Sequence, residues 1–146
     1  MKKTLQISLL LAVVALASNL FFGTAPVIAA EAPAGGTVTA YYFHGTFRCP
    51  TCHKLEQYAK EAIEANFKDA LTSGKLAFKV VNIENKGNEH YVNDYKLYTK
   101  SLVLSLTKDG KEVRSRNLDK IWEYVGNKDR YENYVRDEVA AFLKEK

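Results

Sequence analysis

Between residues 37 and 145 the hydrophobic positions change period several times, and each change marks an element. β-branched and aromatic residues crowd TVTAYYFH (37–44) up to Gly45, the composition of a strand. Past it, Leu55, Tyr58, Ala59, Ala62, Ile63 and Phe67 recur at spacings of three and four, which predicts one helix with a single buried stripe, closed by Ser73-Gly74. LAFKVVNI (76–83) predicts a second strand. NEHYVNDYKLY (88–98) follows Gly87 and predicts a helix with Tyr91, Val92, Tyr95 and Tyr98 on one face. SLVLSLT (101–107) and KEVRSRN (111–117) flank Asp109-Gly110, a strong hairpin signal. Leu118, Ile121, Trp122 and Val125 begin a last helical stripe, which breaks at Gly126-Asn127 and resumes with Tyr131, Tyr134, Val135, Val139 and Phe142.

The expected order is β-α-β-α-β-β-α, with the last helix in two pieces. Two strands joined by a helix pair in parallel through a right-handed crossover, and the hairpin adds an antiparallel pair. The expected fold is therefore α/β, a mixed four-stranded sheet with helices on both faces.

The first 30 residues carry a different pattern. Met1, Lys2 and Lys3 precede the apolar run LQISLLLAVVALA, and small residues follow at VIAA, the layout of a secretory signal cleaved after Ala29 or Ala30. Left uncleaved, residues 4–29 would anchor the chain in a membrane, since about 20 apolar residues span a bilayer. No cysteine follows the run, so no lipid is expected there. Either way the folded part is expected in the periplasm or another extracytoplasmic compartment, where disulfides persist. Residues 31–36 (EAPAGG) read as a linker and 37–146 as one domain.

Composition narrows the function. Without residues 1–30 the chain keeps 116 of its 146 residues, enough to bury a core without a disulfide to staple it. The formal charge of +4 drops to +2 once Lys2 and Lys3 leave. The remaining lysines alternate with acids, which excludes a nucleic-acid footprint. There is no internal repeat.

Both cysteines lie in RCPTCHK (48–54), directly after the first predicted strand and at the start of a predicted helix. Reactive groups of open α/β sheets gather at this end of the strands. Pro50 suits the first helical turn, where its missing N–H has no partner to lose. Cys49 then stands at the cap, facing free N–H groups and the positive end of the helix dipole, which favours thiolate over thiol. Cys52 falls one turn in, shielded and close enough to resolve a mixed disulfide.

Three other chemistries share this string. A structural disulfide over a four-residue loop would contribute roughly 2 kcal/mol, a poor placement for a staple. CxxCH is also the c-type haem attachment signature, with His53 as one axial ligand. The only methionine, Met1, leaves with the signal, so the second ligand would be His44 or His90. Cys49, Cys52, His53 and His44 could also supply four ligands to Zn²⁺ or Cu⁺. Arg48 and Lys54 flank the pair as candidate stabilisers of a thiolate.

In the segments YYFHGTFRCPTCHKLEQYAKEAIE, VVNIENKGNEHYVNDYKLYTKSLVLS and KDGKEVRSRNLDKIWEYVGNKDRYENYVRDEVAAFL, the chain resembles the thioredoxin-like superfamily. Within that superfamily it is similar to the ArsF family, described as a nitrophenyl compound nitroreductase subunit. The resemblance implies a thioredoxin-like fold, with Cys49 attacking and Cys52 resolving in a Cys49–Cys52 redox disulfide. It implies as partners a protein thiol or disulfide and an electron donor. No Gly-rich phosphate loop is present and no cofactor is expected, so any nitroaryl reduction would belong to a partner. The chain departs from the superfamily pattern twice. Ser101-Leu102 stands where a proline precedes the third core strand, and a position close to Phe43 replaces a buried acid. Glu56 or His53 could take over the proton role of that acid. Pro50 and Thr51, between the cysteines, leave the direction of exchange open.

Overall fold

The computed structural model describes residues 36–145. The secretory segment expected at 1–30 and linker residues 31–35 lie outside them. Among the described residues no helix is long and apolar enough to cross a membrane.

Among the described residues four strands and five helices follow one another: β1 (Thr37–His44), α1 (Pro50–Asn66), α2 (Lys68–Thr72), β2 (Leu76–Asn82), α3 (His90–Asp94), β3 (Ser101–Lys108), β4 (Lys111–Asn117), α4 (Ile121–Tyr124) and α5 (Lys128–Lys144). The sheet order is β2-β1-β3-β4. β1 pairs in parallel with β2 from Val38↔Leu76 to His44↔Asn82 and antiparallel with β3 from Thr37↔Thr107 to Phe43↔Ser101. The fold is mixed α/β, with the element order of the thioredoxin-like fold.

β1 is central, and its inner positions are buried on both faces, which suits its run of valine, alanine and aromatic residues. Val38, Ala40 and Tyr42 face the helices α1 and α5, meeting Leu55, Ala59, Ala62 and Ile63 of the first and Tyr131, Val135, Val139 and Phe142 of the second. Phe43 faces the other way, into a smaller cluster with Leu97 and Val103 that Tyr91 and Tyr95 cover from α3 and its end. Asp109 and Gly110 both take positive φ (50° and 75°), the backbone of a two-residue hairpin turn.

Three expectations are corrected. The helix after the cysteines does not run on to Ser73. The Asn66 side-chain amide donates to the Ala62 carbonyl at 2.7 Å, competing with the helical ladder, and Phe67 leaves helical geometry before α2 begins. The helix expected over 88–98 shrinks to five residues, because Lys96 adopts a left-handed backbone (φ 50°) and the Leu97 N–H bonds back to the Val92 carbonyl at 2.9 Å. That stop buries Leu97 and turns Tyr98 out to 94% exposure, off the face it was expected to share. Trp122 is not a core residue either; its indole N–H donates to the Lys100 carbonyl at 2.9 Å, tying α4 to the loop before β3.

Candidate redox site

A five-residue loop carries the chain from His44 to Cys49, the N-cap of α1. The backbone there is extended (φ −84°, ψ 164°), and Cys49 Sγ accepts from the Cys52 N–H at 3.2 Å. The sulfur thus occupies the place of a serine or aspartate oxygen in an ordinary cap. Pro50 follows in the first turn, and no acidic side chain there offsets the partial positive charge of the helix start. Cys49 is half-buried, whereas Cys52 is 1% exposed. The two sulfurs are bonded, with Cα atoms 5.1 Å apart, within the ordinary disulfide range.

Tyr42, the neighbour of Phe43 on the opposite face of β1, lies beneath the first turn of α1. Its hydroxyl donates to the Cys52 carbonyl at 2.7 Å, and burial pushes its pKa up to about 12 despite the nearby Arg48 guanidinium. Arg48 turns back from the loop to pair with Glu56, both side chains only partly exposed. Glu56 is therefore held by a guanidinium beside Tyr42 and is not a free carboxylate. His53 and Lys54 point into solvent.

A second set of contacts fixes the loop ahead of the cysteines. Glu84 accepts from the Thr46 N–H at 3.0 Å, and the Asn82 amide donates to Thr46 Oγ1 at 3.2 Å. These contacts with Thr46 hold the Glu84 carboxyl below its usual range. The same carboxylate lies against Gly45, where a Cβ would meet Glu84 Oε1 at 2.5 Å. Beside this clamp an open cleft of about 160 Å³ runs between His44 and Gly45, Glu84, and the Tyr98–Lys100 segment. Phe47, at 78% exposure, stands two residues before Cys49. Ser101 is buried at the start of β3, its hydroxyl donating to the Thr99 carbonyl at 3.0 Å.

Of the residues singled out in the sequence, Cys49, Pro50, Thr51 and Cys52 come together as expected in the first turn of α1. The metal set does not assemble: among the described residues no group of three or more His, Cys, Asp or Glu side chains is placed to hold an ion. His44 Nδ1 contacts the Gly45 carbonyl at 2.8 Å, while His90, on α3, pairs with Asp94. Tyr42, Arg48 as a partner of Glu56, and Glu84 are site residues that periodicity does not reveal.

No protein-family model matches the chain, and no curated protein matches it.

Proposed function

We propose that this protein is an extracytoplasmic thiol-disulfide oxidoreductase that exchanges electrons with a protein partner through Cys49. What supports the reading is the unequal setting of the two sulfurs. Cys49, partly accessible, caps a 17-residue helix and accepts an N–H bond; Cys52 is sealed one turn behind it. A staple would gain nothing from that asymmetry, while a nucleophile and its resolving partner require it.

In the reducing direction the Cys49 thiolate attacks one sulfur of a partner disulfide, forming a Cys49–partner disulfide and releasing the other partner sulfur as a thiolate. Cys52 then gives up its proton to solvent and attacks Cys49 Sγ. The Cys49–Cys52 bond forms, and the second partner sulfur leaves as a thiolate. Two electrons have passed to the partner, and a separate donor must return two to the pair. The oxidising direction is the same sequence reversed. The pattern of residues 1–30 supports a location outside the cytoplasm, and any nitroaryl chemistry would belong to a larger redox system beside it.

Trapping tests the reading. Cys52→Ser leaves the mixed disulfide unresolved and accumulates a Cys49-linked partner on non-reducing gels; Cys49→Ser accumulates none. Equal trapping by both variants, or none by either, would favour the alternative expected from the sequence, a non-catalytic partner subunit of a membrane or redox complex that binds a soft metal through Cys49 and Cys52.

A further inference from the structure

Two buried phenols hold α1 from below with the same chemistry at two depths. Tyr42, from β1, donates its hydroxyl to the Cys52 carbonyl at 2.7 Å. Tyr131, from α5, donates to the Leu55 carbonyl at 2.6 Å, about one turn further from the helix start. Both rings are fully buried. They differ in what their carbonyls are attached to.

The Cys52 carbonyl belongs to the Cys52–His53 peptide, whose N–H donates to the Cys49 carbonyl at 3.2 Å. On the other side of the Cys52 Cα, the Cys52 N–H holds Cys49 Sγ. The phenol therefore pins the peptide plane adjoining the group that contacts the sulfur. Hydrogen bonds in series also polarise one another, so a donor on that carbonyl strengthens the His53 N–H as a donor to Cys49. The Leu55 carbonyl has no such link to either cysteine.

We propose that Tyr42 is a positioning residue for the redox pair: its hydroxyl locks the first turn of α1 in the geometry that stabilises charge on Cys49, and so sets the poise of the disulfide. The proposal rests on Cys49 being the exchanging sulfur. Tyr131 holds the helix to the core with no share in that poise.

The test is equilibration of the full chain with glutathione. Two glutathione thiols supply two electrons and become glutathione disulfide. The Cys49–Cys52 bond becomes a Cys49 thiolate and a Cys52 thiol, and one of the two protons released goes to Cys52, the other to solvent. Stabilising the thiolate favours the reduced form and raises the potential. Tyr42→Phe keeps the ring and removes the donor. Its equilibrium constant for reduction should fall about threefold, ~14 mV at about 30 mV per tenfold change, and its Cys49 should alkylate with a higher apparent pKa. Tyr131→Phe should lose comparable resistance to urea and leave both redox readouts where they are. This control separates poise from a general loosening of the fold. Equal shifts in the two variants, or an unchanged potential in Tyr42→Phe, overturn the proposal while leaving Cys49 as the exchanging sulfur. A wild-type pair that never equilibrates with glutathione removes the oxidoreductase reading, and the proposal with it.

Discussion

Arg48, the residue before the N-cap of α1, is ion-paired with Glu56 in the second turn of the same helix, and both side chains are mostly shielded, 21% and 25% exposed. The pair places one positive and one negative group beside the helix start, where Cys49 would carry its charge. Removing either partner leaves the other uncompensated, and the consequences for Cys49 have opposite signs. Arg48→Met leaves a carboxylate that raises the Cys49 pKa, and Glu56→Gln leaves a guanidinium that lowers it. Both single variants should lose about 1–2 kcal/mol, between the values for exposed and buried pairs. The double variant should return Cys49 close to its starting value. The pH dependence of iodoacetamide alkylation reads the shift; movement in the same direction for both singles would show that the pair does not act on the sulfur electrostatically.

Cys49 has a structural duty separable from its redox one, because its Sγ is the cap acceptor for the Cys52 N–H. In a Cys52→Ser background, where no internal disulfide forms, Cys49→Ser keeps an acceptor at the cap and Cys49→Ala removes it. The alanine variant should be less stable than the serine variant by about 1 kcal/mol in urea unfolding under reducing conditions. Equal stabilities would mean that the contact does not cap the helix.

The local parts of this structure were readable because local residues decide them. The β-rich run of β1, the Asp109-Gly110 turn, the break at Gly126-Asn127 and the Cys49-Pro50 helix start depend on neighbours a few positions away. Helix lengths were less readable, since a side-chain amide at Asn66 and a left-handed Lys96 stop helices that the apolar period would continue. The site's supports were hidden for a different reason. Tyr42 and Phe43 are both fully buried, on opposite faces of β1, so hydrophobicity does not tell one from the other, and only the packing of the folded sheet against α1 places the phenol under Cys52. The Glu84 contact with Thr46 spans 38 positions, beyond any periodicity argument.

That long-range contact has an acid signature. Glu84 has its carboxyl pKa lowered in the folded protein, first by the Thr46 hydroxyl and then by the Thr46 N–H, with Lys100 and His44 adding smaller contributions. A depressed folded pKa means that the unfolded chain takes up the proton first. The stabilisation is present above about pH 4.5 and is lost as pH falls through the folded value. Glu84→Gln should remove this part of the acid dependence, so the stability difference between wild type and variant should narrow below pH 4.5. Urea midpoints across that range check it. A difference that stays constant with pH would show that the carboxylate's charge contributes nothing to holding Thr46.

The alkaline limb is set by phenols. Tyr42, Tyr91, Tyr95, Tyr131 and Tyr134 are all raised above 10 with burial as the leading cause, Tyr42 and Tyr134 to about 12. The sign runs opposite to that of Glu84. The folded chain keeps protons that the unfolded chain has released, so stability is intact below pH 10 and falls as pH climbs toward 12. Tyrosinate absorbance should therefore rise in two stages, with the buried phenols ionising as far-UV circular dichroism collapses. Tyr131→Phe should lessen the loss of stability above pH 10, because it deletes a group whose proton the fold must retain. A single ionisation step near pH 10, completed while the dichroism is still native, would mean that the Tyr42 and Tyr131 hydroxyls are not sealed in the core that holds α1 in place.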